Sequence, residues 1–122
     1  IYHFHTRTKT ARSAELNAAA PDVWAEVHAA DAEFLGIAEG DVVDVVSPRG
    51  RIRATARIAE VRRGTVFVPF HYGYWDTDHP AGPPDGQGRA ANEMTITDWD
   101  AVSKQPLFKL GAARLERVEV GR

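Results

Sequence analysis

The chain has 122 residues, the size of one domain, so we expect a single folded unit over residues 1–122. Its formal net charge of −2 and pI near 6.2 exclude a broad nucleic-acid or membrane-surface role, because both need a basic face. It contains no cysteine, which excludes disulfides, thiolate metal sites and cysteine nucleophiles.

The sequence shows no signal-peptide pattern. No apolar run approaches the roughly 18 residues of a membrane-spanning helix, so we expect no membrane contact. The sequence starts with Ile1 instead of methionine, which suggests a fragment of a longer protein. For that protein we expect a cytoplasmic location.

The first twelve residues (IYHFHTRTKTAR) are mostly hydrogen-bonding side chains and precede any core-like pattern. In an extended segment, with its period of two, several small donors would lie together beside basic side chains. Such a surface suits a phosphorylated ligand rich in heteroatoms. The threonines also fit a plain exposed strand, because threonine favours strands.

The next two elements are a strand and a short helix. Residues 22–28 (DVWAEVH) alternate as a strand does, with Val23 on one face and Trp24 on the other. The helix that follows has Asp31 as its predicted N-cap, and Gly36 can adopt the left-handed conformation that ends a helix.

Three further strands are predicted in the middle of the chain. The turn at residues 39–41 opens VVDVVS, whose continuous valines indicate a strand covered on both faces. After a PRGR turn, residues 51–58 alternate arginine or threonine with apolar residues, which is typical of an antiparallel strand with one buried face. Another turn at residues 62–64 leads into TVFVPF.

The rest of the chain is less regular. Residues 71–91 are rich in glycine and proline, and a loop of this length is more often functional than a mere connector. Residues 107–120 resemble a closing strand with broken alternation. Short strands at intervals of roughly ten residues with one small helix predict a mainly β fold, a closed barrel or a sandwich.

Several residues outside the core pattern have two readings. His3, His5 and His71 could bind zinc through three imidazoles, or could be ordinary polar residues. The aromatic residues around Gly73 could pack in the core or form a stacking wall for a ring system; they are Tyr72, Tyr74 and Trp75. GQGRAAN at residues 86–92 is a weak phosphate signature, because it lacks the lysine and hydroxyl of a P-loop.

No nucleophile triad and no carboxylate pair with a credible proton-transfer spacing is present, so we do not expect the isolated domain to be catalytic. The pattern favours a ligand cradle. A barrel that binds a protein partner and no cofactor remains an alternative.

Three segments together resemble a known family. HFHTRTKTARSAEL, VFVPFHYGYW and RAANEMTITDWDAVSKQPLFK are similar, in this order and spacing, to the C-terminal molybdopterin-dinucleotide-binding domain of molybdenum oxidoreductases. The resemblance covers nearly the whole chain. It implies a double-psi β-barrel with one or two short helices, which binds bis-molybdopterin guanine dinucleotide.

The resemblance also implies which residues bind the cofactor. From the first segment these are His3, Phe4, His5, Thr6, Thr8, Thr10 and Arg12. His71 and Asn92 come from the middle segments, and Phe108 and Lys109 from the last. No residue of this chain is implied to bind the metal, because the cofactor itself holds the molybdenum.

The segments HYGYW, NEMT and DAVSKQP are most similar to the nitrate reductase branch. Formate dehydrogenase, or another anion-reducing enzyme of the same group, is the alternative. The implied partners are the upstream catalytic and iron–sulfur domains of the parent chain.

Overall fold

The computed structural model describes residues 3, 5–78, 80, 82, 87–107 and 111–119. Its two α-helices in these residues are α1 (Ala14–Ala19) and α2 (Ala29–Leu35). Its five strands are β1 (Trp24–Val27), β2 (Val42–Val46), β3 (Arg51–Ile58), β4 (Val66–Phe67) and β5 (Arg114–Arg117). Two short 3-10 helices span Thr10–Arg12 and Ala91–Met94.

All five strands belong to one sheet in the order β4-β1-β3-β2-β5, and this sheet curls into half of a barrel. The predicted mainly β barrel fold with short helices is therefore confirmed. Strand β3 is antiparallel to β2, as predicted, and parallel to β1 on its other side. The parallel pair places Trp24–Val27 of β1 beside residues 55–58 of β3, which are about 30 positions away in the sequence.

The core lies on the inner face of this sheet. Alternation along β3 buries Ile52, Ala54 and Ala56, as the sequence predicts. On β1 both faces are covered, because Trp24 and Ala25 are each almost fully buried. The centre of β2 is covered on both faces as well, and its Asp44 is buried among arginine side chains.

Helix α2 ends where predicted and begins earlier. Gly36 closes the helix with φ of 68°, in the left-handed region that glycine adopts without strain. The prediction of Asp31 as N-cap is wrong. The cap is His28, whose Nδ1 accepts a hydrogen bond from the Ala30 N–H at 3.0 Å.

The extended conformation predicted for the opening segment is also wrong. His5 and Arg7 have φ of 46° and 69°, and the Ala11 N–H donates to the Arg7 carbonyl at 2.9 Å, so the chain turns back on itself. These local hydrogen bonds take the place of a sheet partner. As a result the side chains do not share a face, and Arg7 is buried while Thr6 and Thr8 are exposed.

Candidate functional site

Three loops meet at one largely buried group of polar and aromatic side chains beside the sheet. We call it the Tyr72 cluster, and its members are His3, Arg7, His71, Tyr72, Asp76 and Arg89. Four of them are almost fully buried, since Arg7 and Tyr72 are 1% exposed and His3 and His71 are 4% exposed. The cluster joins the opening segment to the two parts of the glycine-rich loop.

The Tyr72 side chain anchors the cluster to the end of α1. Its hydroxyl donates to the Ala20 carbonyl at 2.8 Å, and burial raises the pKa of this hydroxyl. His3 Nε2 lies 3.3 Å from the same carbonyl, and its Nδ1 lies 2.9 Å from Thr10 Oγ1. Because a carbonyl only accepts, Nε2 carries a proton, and both ring nitrogens of His3 are engaged within the protein.

Two guanidinium groups lie over the Tyr72 ring. The Cζ atoms of Arg7 and Arg89 are 4.6 Å and 5.3 Å from the ring centroid, which is within cation–π range. Asp76 forms an ion pair with Arg7, and its other oxygen lies 4.0 Å from Arg89 Nη2. One carboxylate therefore lies against two cations in a largely buried site.

His71 packs edge-on against its neighbours, with its ring centroid 5.7 Å from that of His3 and 6.2 Å from that of Trp24. Burial, reinforced by the nearby His3 and Arg7, lowers the pKa of His71 to about 4. The ring is therefore neutral near pH 7, with one nitrogen able to donate and the other able to accept.

Unpaired hydrogen-bonding groups are concentrated in this cluster. Among the described residues, buried side-chain nitrogens without a hydrogen-bond partner occur on Arg7, His71 and Arg89, two on each. A buried polar group that is left unpaired costs about 1 to 3 kcal/mol, so most proteins satisfy nearly all of them. Such a set of imidazole and guanidinium nitrogens fits a polar, anionic ligand with many acceptor atoms.

A second group of hydrogen bonds, centred on Tyr74, fixes the last part of the glycine-rich loop. Tyr74 donates its hydroxyl hydrogen to Glu93 and accepts the Arg89 N–H at 2.8 Å. Burial, reinforced by Glu93, raises the pKa of Tyr74. Gly88 fits against this pair because a Cβ there would lie 2.7 Å from the Arg51 carbonyl oxygen and would overlap Glu93. The contact holds residues 88–94, including Asn92, against the start of β3.

Those residues predicted to bind a cofactor that the structure describes divide into two groups. His3, Thr10 and His71 lie in or against the Tyr72 cluster. The side chains that are exposed are His5, Thr6, Thr8, Arg12 and Asn92. Phe4, Phe108 and Lys109 lie outside the described residues.

Sequence reasoning missed Arg7, Asp76 and Arg89 as members of the site. Arginine is normally exposed, and Arg7 and Asp76 are 69 positions apart, so no local pattern reveals the pair. Of the two readings of the aromatic residues, core packing is right for Tyr72, whereas Trp75 is 49% exposed.

Within the described residues, no group of three or more histidine, aspartate or glutamate side chains is placed to hold a metal ion. The three-imidazole site is not assembled, because His5 is exposed whereas His3 and His71 are buried. None of the helices in this part of the chain is long and apolar enough to cross a membrane.

Fold and site together define a small mainly β domain whose buried loop cluster suits a polar, anionic ligand. A family model described as "Molydopterin dinucleotide binding domain" matches residues 1–112. The chain therefore belongs to the molybdopterin dinucleotide-binding domain family, and its ligand is a molybdopterin-type cofactor.

Two relatives of the chain are a formate dehydrogenase subunit and a nitrate reductase. The chain is 37% identical over 119 residues to the F420-dependent formate dehydrogenase subunit alpha of Methanocaldococcus jannaschii, covering 97% of this chain and 16% of that protein. It is 36% identical over 120 residues to a nitrate reductase of Symbiobacterium thermophilum, covering 96% and 14%. The chain thus spans only about one seventh of the length of these relatives.

A solved structure supports the fold. Acetylene hydratase from Pelobacter acetylenicus matches 84% of this chain and 15% of its own, with a TM-score of 0.69 and 21% sequence identity. At this identity the match establishes the shared barrel fold.

Proposed function

We propose that this chain binds bis-molybdopterin guanine dinucleotide as one domain of a molybdenum oxidoreductase, and that this enzyme is a nitrate reductase. The observation that carries the cofactor proposal is the set of buried nitrogens on Arg7, His71 and Arg89 that make no hydrogen bond among the described residues. A pterin dinucleotide offers ring nitrogens, carbonyl groups and phosphate oxygens as partners for them. A barrel that binds only a protein partner gives no reason for these unpaired groups.

The residues of this chain would bind and orient the cofactor. We assign the neutral His71 ring to a heteroatom of the pterin or guanine, since it can donate and accept at once. The exposed side chains of Thr6, Thr8 and Asn92 supply further hydrogen bonds from the surface. The hydrogen bond between His3 and Thr10 stabilises the turn of the opening segment, and so positions the exposed threonines.

When bound, the cofactor supplies the redox chemistry through its molybdenum, while the protein supplies position and electrostatics. In this proposal the described residues of the chain serve to bind and orient the cofactor and not as a nucleophile or general base. We propose that the catalytic and iron–sulfur domains of the parent protein complete the enzyme, which is supported by the 14 to 16% coverage of the relatives.

Nitrate reductase is favoured by the segments HYGYW and NEMT, and a nitrate reductase is among the relatives at 36% identity. Formate dehydrogenase is the second candidate, because a relative with that activity is 37% identical. The two similarities are equal in weight, so substrate assays must separate the candidates.

The test uses the full-length protein that contains this chain. Released cofactor is oxidised and identified by mass spectrometry, and the protein is assayed for nitrate reduction with reduced viologen and for formate oxidation with oxidised viologen. We expect a pterin guanine dinucleotide and nitrate reduction. Formate oxidation alone would replace the first candidate by the second, and absence of any pterin would refute the cofactor proposal.

A further inference from the structure

Arg7 and Arg89 form a pair of cations that share one counter-ion. Both guanidinium groups lie over the Tyr72 ring, and both lie within 4.0 Å of the Asp76 carboxylate. The second acid near the pair is Asp22, whose Oδ1 is 3.5 Å from Arg89 Nε, and its side chain is 64% exposed. Two largely buried positive charges are therefore balanced mainly by the Asp76 carboxylate, whose side chain is 19% exposed.

The hydrogen bonds of this pair are incomplete. Arg7 donates through Nη2 to Asp76, whereas its Nε and Nη1 have no hydrogen-bond partner among the described residues. On Arg89 the groups without a hydrogen bond are Nε and Nη2. A carboxylate has two oxygens and cannot satisfy so many donors, whereas a phosphate or diphosphate has enough oxygens to accept from two guanidinium forks.

We propose that Arg7 and Arg89 form a binding subsite for a phosphate-ester anion, and that its occupant is the diphosphate of the dinucleotide cofactor. The proposal rests on the proposed function and assigns the anionic part of the ligand to two arginines. Tyr72 positions both cations from one side, because its ring is itself fixed by the hydrogen bond to Ala20.

Asp76 serves in this subsite as an internal counter-ion. Its carboxylate takes the place of one ligand oxygen, which allows Arg7 to remain buried before a ligand binds. The same negative charge repels an incoming anion. Removing the charge of Asp76 while retaining its shape therefore strengthens anion binding, an effect that a purely structural ion pair would not produce.

The experiment uses full-length protein produced in cells that do not make the molybdenum cofactor. Inorganic pyrophosphate, inorganic phosphate, guanosine diphosphate and guanosine are titrated separately by calorimetry. Arg89→Gln is the main variant, because its side chain is 16% exposed and tolerates change better than the 1% exposed Arg7. Arg89→Lys tests the need for a planar fork, and Arg62→Gln removes an exposed arginine from the turn before β4 as the matched control.

We expect pyrophosphate and guanosine diphosphate to bind the wild type, and guanosine alone to bind far more weakly. Arg89→Gln should weaken pyrophosphate binding about 10-fold, which corresponds to one charge-assisted hydrogen bond. Arg89→Lys should bind pyrophosphate more tightly than Arg89→Gln but more weakly than the wild type. Asp76→Asn should bind pyrophosphate more tightly than the wild type, and Arg62→Gln should bind it with the wild-type affinity. Circular dichroism confirms that each variant is folded.

Unchanged pyrophosphate affinity in folded Arg89→Gln, or an affinity of folded Asp76→Asn no higher than that of the wild type, would overturn the subsite. Tight binding of inorganic phosphate with no gain for pyrophosphate would assign the site to free phosphate and overturn the diphosphate assignment. The molybdenum and pterin content of Arg89→Gln made in cofactor-producing cells separates the two proposals. Full content in this variant refutes the subsite alone, whereas a wild type without pterin refutes the proposed function.

Discussion

His3 and Tyr72 donate hydrogen bonds to the same acceptor, the Ala20 carbonyl, at 3.3 Å and 2.8 Å. The two side chains come from positions 69 residues apart in sequence, and their rings meet edge to face with centroids 6.2 Å apart. The end of α1 therefore fixes the opening turn and the glycine-rich loop relative to each other. The Tyr72 cluster is thus anchored at this shared acceptor.

The Tyr72 hydroxyl should contribute measurably to stability. Tyr72→Phe removes one buried hydrogen bond and keeps the ring under the two guanidinium groups, so we expect a loss of about 1 kcal/mol in the free energy of unfolding. Tyr72→Leu also removes the aromatic face and should cost about 3 kcal/mol. Urea denaturation measures both, and equal losses would contradict the role of the ring.

Stability should depend on pH through His71. Its pKa is about 4 in the folded chain and near 6.5 when exposed, so the unfolded state binds more protons between these values. The free energy of unfolding should therefore be constant above about pH 6.5 and fall as the pH decreases towards 4, by up to about 3 kcal/mol. Denaturation of cofactor-free protein at several pH values measures the slope.

His71→Gln is the control for this slope, because it cannot titrate in the same range. We expect the part of the pH dependence between 4 and 6.5 to shrink in the variant. An unchanged profile would show that His71 is already protonated or is exposed in the folded protein.

Gly88 should not tolerate a side chain. A Cβ at this position meets the Arg51 carbonyl oxygen at 2.7 Å and overlaps Glu93, so Gly88→Ala must shift backbone and should cost about 1 to 3 kcal/mol. Gly111→Ala is the matched control, since no atom of the described residues outside its immediate chain neighbours lies within 4 Å of its Cβ position, and should change stability by less than about 0.5 kcal/mol. Thermal denaturation compares them, and equal midpoints would contradict the close packing of residues 88–93.

Asp44 stabilises the sheet through two arginines on β3. Its carboxylate accepts Arg53 Nε at 2.8 Å and Arg51 Nη1 at 3.0 Å, and these contacts, that of Arg53 foremost, lower the pKa of Asp44. Asp44→Ala should lower the free energy of unfolding by about 2 kcal/mol. The loss is not larger because both arginines are partly exposed and water can hydrate them once the carboxylate is gone.

Glu116 provides the comparison for Asp44. It pairs with Arg51 at 3.1 Å on the surface, where solvent screens the charges, so Glu116→Ala should cost less than about 1 kcal/mol. Chemical denaturation at neutral pH measures both variants. If Glu116→Ala lowered the free energy of unfolding more than Asp44→Ala does, the burial of Asp44 would not explain its contribution to stability.

Local signals were sufficient for strand β3 and for the end of α2, whereas β4 and β5 are shorter than the segments predicted for them. The alternation on β3 and the glycine at position 36 act within a few residues, and the structure places both as predicted. A local signal for α1 was present and overlooked, since Ser13 caps that helix by accepting the Leu16 N–H at 3.4 Å.

The site itself was only partly predictable. The alternation of the opening segment is compatible with a strand, and only contacts with distant residues decide that Arg7 turns inward. The burial of His71 likewise depends on packing against His3 and Trp24, which no single segment encodes. Cofactor binding by the exposed threonines and Asn92 stays a prediction.

The central claim is that the buried cluster and the exposed loop residues hold the cofactor. The most direct measurement is the molybdenum and pterin content per protein molecule of the full-length wild type, His71→Ala, Asn92→Ala and the control Arg62→Gln. We predict near-complete content in the wild type and in the control, and a loss of about 10-fold or more in cofactor retention for each of the other two. Full cofactor content in folded His71→Ala and Asn92→Ala would contradict the account.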